Sequence, residues 1–177
     1  ELSQKGSVLL TTSTHILPFS HCENICFSEE EALENSNTLL QSKVLSLWDK
    51  SQNPILCLGT LEKNGKLSPF PLPFSAIEQM ADFVLVEADG SKHLPAKAHN
   101  EREPQLPKET KLSVLVFGLS ALHKPIEEVV HRAELFRVLF PPPLGMGVVL
   151  SKELLAEALQ KENLGDLLFL NQADCIE

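Results

Sequence analysis

Basic residues are scarce in this chain of 177 residues: 15 Lys and Arg stand against 24 Asp and Glu, a formal net charge of −9. A protein that grips a nucleic-acid backbone carries a basic footprint, so nucleic acid is not an expected partner, although a small basic pocket stays open. No apolar run approaches the roughly 20 residues that span a bilayer, and no signal peptide is evident, so no membrane partner is expected. The four cysteines, Cys22, Cys26, Cys57 and Cys175, are too few for a disulfide scaffold and suit a reducing, cytoplasmic setting. His21-Cys22-x-x-x-Cys26 offers three metal ligands at loose spacing without the second pair of a structural zinc site. Internal repeats and low-complexity tracts are absent. Also missing is the phosphate-cradling G-x-x-x-x-G-K-[S/T]: Gly65-Lys66 has no glycine five residues before it.

What is present is ordinary globular material, 43% hydrophobic and 22% charged. A chain of this length buries about 70% of its unfolded surface, enough for one core. The expected organisation is a single α/β domain over 1–177. Glu1–Gly6 reads as the last turn of a helix closed by glycine. Leu167–Leu170 with Asn171–Asp174 reads as a strand and loop where a helix normally follows. Both ends therefore suggest a larger protein, with an N-terminal phosphate-loop segment and a C-terminal end lying outside this stretch.

Ser7–Thr12, Pro54–Gly59, Asp82–Val86, Leu112–Gly118 and Leu167–Leu170 read as short buried strands. Lys63-Asn64-Gly65 between Gly59 and Lys66-Leu67 signals a small β-hairpin insertion. Ser28-Glu29-Glu30-Glu31 is a capping box opening a helix that runs to about Lys50. A short helix is expected over Ala76–Ala81 and a capped amphipathic helix over Ser151–Lys161. Pro125 starts a further helix whose core face is Val129, Leu135, Val138 and Leu139, with His131-Arg132 inside it. Apolar strands alternating with helices predict a mostly parallel β-sheet flanked by helices. In such folds ligands bind beyond the carboxyl ends of the strands. Those ends carry Thr11-Thr12-Ser13-Thr14, then Glu87 and Asp89-Gly90, then Gly118 and Ser120, then Asn171 and Asp174.

Each set has a defined chemistry. Asn171-Gln172-Ala173-Asp174 resembles the guanine-reading N-K-x-D element: the Asn amide meets the acceptor edge and the Asp carboxylate takes two N–H donors of guanine. Gln172 stands where Lys is usual. Val84–Gly90 resembles a Walker-B strand, in which Glu87 or Asp89 holds Mg²⁺ and Gly90 lets backbone approach a γ-phosphate. Thr11 and Thr12 offer hydroxyls to metal or phosphate. Lys92, Lys97, His99 and Arg102 crowd one loop in an acidic protein and suggest contact with an anion or a partner.

Val8–Thr14, Val84–Lys92, Pro95-Ala96-Lys97, Glu103-Pro104 with Pro107, Val130-His131-Arg132 and Asn171–Asp174 together resemble the YqeC-like accessory proteins of selenium-dependent molybdenum hydroxylases. The motifs occur in family order over nearly the whole chain. The block from Glu87 to Pro107 is the most specific part. The resemblance implies a P-loop NTPase-like three-layer sandwich, Mg and GTP or another nucleoside triphosphate as cofactors, and a molybdenum hydroxylase or its cofactor as partner. It implies a Mg-dependent GTPase-like activity in the full-length protein, with Glu87 and Asp89 as catalytic carboxylates. Residues 1–177, without a phosphate loop, are expected to be inactive on their own. The alternative is a non-catalytic chaperone or cofactor-binding module on the same fold. A third reading is nucleotidyl or phosphoryl transfer onto a molybdenum-cofactor intermediate.

Overall fold

In the computed structural model, which describes residues 1–34, 36–51 and 54–175, the first sheet begins at a clasp between two strand starts. The Ser7 amide and hydroxyl both donate to Asp82 Oδ2 at 2.8 Å, and the Asp82 amide donates back to Ser7 Oγ at 3.0 Å. A Cβ on Gly6 would lie 2.5 Å from that carboxylate oxygen, so the approach requires glycine. The clasp sets the register of two parallel strands, with Val8 opposite Phe83 and Thr12 opposite Glu87.

The chain divides into two units: Glu1–Gly90 with Gln105–Glu109, and Ser91–Pro104 with Thr110–Glu177. The first unit runs β1 (Val8–Thr12), β2 (Glu23–Ser28), α1 (Glu29–Glu34), α2 (Asn37–Ser51), β3 (Ile55–Leu61), β4 (Leu67–Ser68), α3 (Phe74–Ile77) and β5 (Phe83–Glu87). Its strand order is β2-β3-β1-β5, all parallel, with β4 antiparallel on β3. The expected hairpin is there: Gly65 takes φ +80° in the turn and the Glu62 amide donates to the Lys66 carbonyl at 2.9 Å.

Alternation along the strands sorts the unit's apolar residues by face. Leu9, Leu56, Leu58 and Phe27 pack with Leu40 and Val44 of α2. Leu10, Cys22, Cys26 and Cys57 point the other way, onto Ile16 and Leu67. The thiols there act as small apolar groups: burial first, then the neighbouring Cys22 thiol, pushes Cys57 up to about 12. Such thiols stay protonated and inert.

The capping box forms as expected, with Ser28 N donating to Glu31 Oε2 at 2.9 Å and Glu31 N to Ser28 Oγ at 3.1 Å. The helix it opens does not run on to Lys50. Ser36 caps a second helix, α2, accepting from the amides of Leu39 and Leu40; Asn35, inside the expected single helix, lies outside the described residues. The helix expected over Ala76–Ala81 sits earlier, over Phe74–Ile77, because Pro73 supplies an extended N-cap.

The second unit runs β6 (Ala96–Lys97), β7 (Val114–Gly118), α4 (Ile126–Val129), β8 (Val130–His131), α5 (Ala133–Val138), α6 (Lys152–Glu162) and β9 (Leu167–Asn171). β6 pairs with β8 and β7 with β9, both parallel. Ile126, Val130, Phe136, Leu150, Leu155 and Ala158 form its core. Ser151 caps α6 as expected, accepting from Leu154 N at 3.2 Å.

One expectation is overturned in this unit. Val130 and His131 are not helical; they leave α4 in extended conformation and pair with Ala96 and Lys97. Arg132 then takes φ +63°, ψ +51° before α5 begins. Adjacent β-branched Val129-Val130 favours that extension, and Val138, placed on the expected core face, is 62% exposed.

A mostly parallel sheet flanked by helices is therefore the architecture, consistent with a P-loop-like sandwich. Among the described residues no helix is long and apolar enough to cross a membrane.

Candidate functional site

The carboxyl ends of β1 and β5 meet in the first unit. Register places Thr12 opposite Glu87, on the face away from Leu9. Thr14 Oγ1 donates to Glu87 Oε2 at 2.6 Å, and Thr12 Oγ1 lies 3.1 Å from the same oxygen and 2.9 Å from the Glu87 carbonyl. Thr12 has one hydroxyl proton to share between those two acceptors. Its oxygen also accepts from Thr14 N at 2.9 Å, which turns the chain back over the carboxylate. Ser13 N donates to the Glu87 carbonyl at 3.0 Å, extending the ladder one residue past β1. Ser13 Oγ donates to the Gln105 carbonyl at 2.6 Å, and Gln105 N donates to the Ala88 carbonyl at 3.0 Å.

The result is a half-buried carboxylate held by hydroxyls at the mouth of a parallel sheet. Its donors are all hard oxygens, the set that suits Mg²⁺. Among the described residues no three His, Cys, Asp or Glu side chains come together as a metal cage. Glu87 would be the residue to hold such an ion, which would draw its other ligands from outside the protein, since Mg²⁺ usually keeps several waters.

The other expected residues fall as follows. Thr11 is buried on the opposite face and donates to the Leu58 carbonyl at 2.9 Å, so its hydroxyl is used inside the sheet. Asp89 is half-buried on the turn after β5, and a Cβ on Gly90 would sit 3.5 Å from Glu87 Oε1. Thr14 belonged to the legible hydroxyl run but lies beyond the strand; its approach depends on the turn that Thr12 Oγ1 nucleates.

In the second unit, Asn171 ends β9 and Asp174 lies in the 3-10 turn Ala173–Cys175, both exposed. Gln172 adopts φ +58° and its Oε1 accepts from Ser120 Oγ at 2.6 Å, tying that turn to the end of β7. Lys97 and His99 are drawn inward. Lys97 Nζ pairs with Glu103 Oε1 at 2.9 Å with only 6% of its side chain exposed. His99 Nδ1 meets Glu162 Oε2 at 3.2 Å, also buried. Lys92 and Arg102 stay at the surface.

Arg132, not singled out individually in sequence, grips Glu103 with both terminal nitrogens, at 2.7 and 2.8 Å. The only signal for it was its place beside His131 in the resemblance. Burial, and then the cations Lys97, Arg132 and Lys92, hold the His131 imidazole below its usual range, against the opposite pull of Glu103.

The chain is thus an α/β protein with a mostly parallel sheet and a strand-end carboxylate collared by hydroxyls. Similarity to known proteins narrows it. A family model described as "YqeC protein" matches residues 1–134. A curated relative named "Uncharacterized protein YqeC", from Escherichia coli (strain K12), is 33% identical over 132 residues, 71% of this chain and 46% of the relative. The chain belongs to the YqeC family. It spans about half the length of that curated relative. No solved structure matches it.

Proposed function

We propose that this protein is a Mg-dependent nucleotide-binding accessory protein, GTP preferred, that serves maturation of selenium-dependent molybdenum hydroxylases. The observation that carries the reading is the Glu87 carboxylate with the Thr12 and Thr14 hydroxyls at the carboxyl ends of β1 and β5. Glu87 holds the ion, with Asp89 as the second carboxylate of the turn. The ion supplies charge neutralisation for bound phosphates. Thr12 and Thr14 orient the carboxylate and offer oxygen to the same centre. Asn171 and Asp174 read the base. The loop from Lys92 to Glu103 presents a surface to the client hydroxylase or its cofactor. The setting is cytoplasmic.

The test is titration of the complete protein with GTP, ATP and CTP in Mg²⁺, with phosphate release followed alongside. Selective GTP binding with slow release is expected. Asp174→Asn is expected to weaken GTP by about 1–3 kcal/mol and to relax discrimination between bases. Retained guanine preference in that variant removes the base-reading role. Binding of none of the three nucleotides overturns the reading and leaves a non-catalytic chaperone or cofactor-binding module.

A further inference from the structure

We propose that the second unit carries an oxyanion site of the phosphate class, built from Lys92, Lys97, His131 and Arg132 around the fixed counter-ion Glu103. The inference rests on that unit alone and does not depend on the nucleotide reading.

The β6–β8 pairing carries the geometry. Its register sets Lys97 opposite His131, and residues directly opposite in a ladder project from the same face. The Ala98 amide donates to the His131 carbonyl at 3.0 Å, continuing the pairing past β6. Arg132 follows at once in left-handed backbone, as do Lys92 and His93 at φ +53° and +65°. Non-glycine residues adopt that backbone uncommonly, and such strain clusters at sites of function.

Glu103 holds two of the cations, Lys97 and Arg132, together. One carboxylate takes Lys97 Nζ at 2.9 Å and the Arg132 fork at 2.7 and 2.8 Å. That fork uses one hydrogen on each terminal nitrogen, so the guanidinium keeps further N–H donors for another acceptor. Lys92 is exposed and its charge is felt at His131. Lys97, Arg132 and the His131 imidazole therefore lie together, with Lys92 on the same unit, in a chain of net charge −9. A purely structural ion pair needs Glu103 and one partner. It does not need a second cation on the same carboxylate, nor an imidazole paired opposite one of them. A tetrahedral oxyanion matches the group: the guanidinium offers paired N–H donors, the ammonium groups add charge, and the imidazole donates a further hydrogen bond.

The test follows the His131 ring signals by NMR in the complete protein while inorganic phosphate is added, with chloride at equal ionic strength as the control. Phosphate, and not chloride, is expected to raise the His131 titration midpoint by about one pH unit, since an adjacent anion favours imidazolium. Lys92→Ala lies on the exposed loop, away from the unit's core, and is expected to weaken phosphate at least about fivefold. Glu103→Gln is expected to tighten it by removing the competing carboxylate. Comparing inorganic phosphate with ribose 5-phosphate and GMP identifies whether a free, sugar-borne or nucleotide phosphate fits best. A His131 titration that ignores phosphate, or phosphate affinity unaltered by Lys92→Ala, overturns the proposal.

Discussion

The two units build a parallel strand pair with the same device and finish it differently. Ser7 and Asp82 clasp the starts of β1 and β5; Ser113 and Asp166 clasp the starts of β7 and β9. In the second clasp the Ser113 amide and hydroxyl donate to Asp166 Oδ2 at 2.7 and 2.6 Å, and Asp166 N donates to Ser113 Oγ at 3.0 Å. The registers correspond, with Val8 opposite Phe83 and Val114 opposite Leu167. Yet Leu9 in β1 is wholly buried, while Phe169 in β9 is 56% exposed. Local hydrogen bonding sets pairing and register. Burial comes from what packs over the faces: β1 has α2 and β3 beside it, whereas among the described residues β9 pairs with β7 alone. The polar ends differ too. β1 and β5 finish in a carboxylate collared by hydroxyls, whereas β7 and β9 finish in an amide turn tied by Ser120 and Gln172.

Breaking the covered pair has the largest expected effect. Leu9→Ala should destabilise the protein by about 2–5 kcal/mol, the range for truncating a fully buried leucine. Phe169→Ala in the bare pair should stay within about 0.5 kcal/mol, as exposed positions do. Urea denaturation of the two variants measures the contrast, and equal losses would show that β9 is covered in solution.

The helix starts sharpen the comparison at intermediate size. Ser28→Ala in the first unit and Ser151→Ala in the second each remove an N-cap and should each cost about 1 kcal/mol. Thermal unfolding reads both. Because Glu31 also reaches back to the Ser28 amide, the first cap should retain part of its bonding after the substitution.

The clasps give the finest comparison, through pH. The Ser7 amide, then its hydroxyl, holds Asp82 below the ordinary carboxylate range; the Ser113 hydroxyl, then its amide, does the same for Asp166. A depressed folded value means the stabilisation is present above the unfolded value, near about 3.9 for Asp, and is lost as pH falls through the folded one. Ser7→Ala and Ser113→Ala should each flatten the acid limb of stability below about pH 4. An unchanged acid limb in either variant would show that the serine hydroxyl adds nothing to the hold its backbone amide already has on the carboxylate.

Much of this was legible in residue order. The apolar runs located β1, β3, β5, β7 and β9, and Asn64-Gly65 located the hairpin, because these signals are local. Strand-end chemistry located Glu87 and Thr12 for the same reason. The clasps were also written there, as a Ser before one apolar run and an Asp before its partner, but pairing separates them by 75 and 53 positions. Arg132 was misplaced because its helical surroundings suggested continuation, while the deciding interaction, pairing of Val130 and His131 with Ala96 and Lys97, lies more than thirty residues upstream. The fate of Thr11 was settled by a carbonyl on a neighbouring strand, Leu58. Exposure of β9 was equally illegible, since an apolar run reads the same whether or not anything covers it.

The central claim is tested most directly by the Mg²⁺ dependence of GTP binding in the complete protein, measured by calorimetry for wild type and Glu87→Gln side by side. Mg²⁺ is predicted to strengthen GTP binding to the wild-type protein, and this strengthening is predicted to disappear in Glu87→Gln. Identical Mg²⁺ dependence in the two proteins would contradict the assignment of Glu87 and its threonine collar as the metal–nucleotide centre.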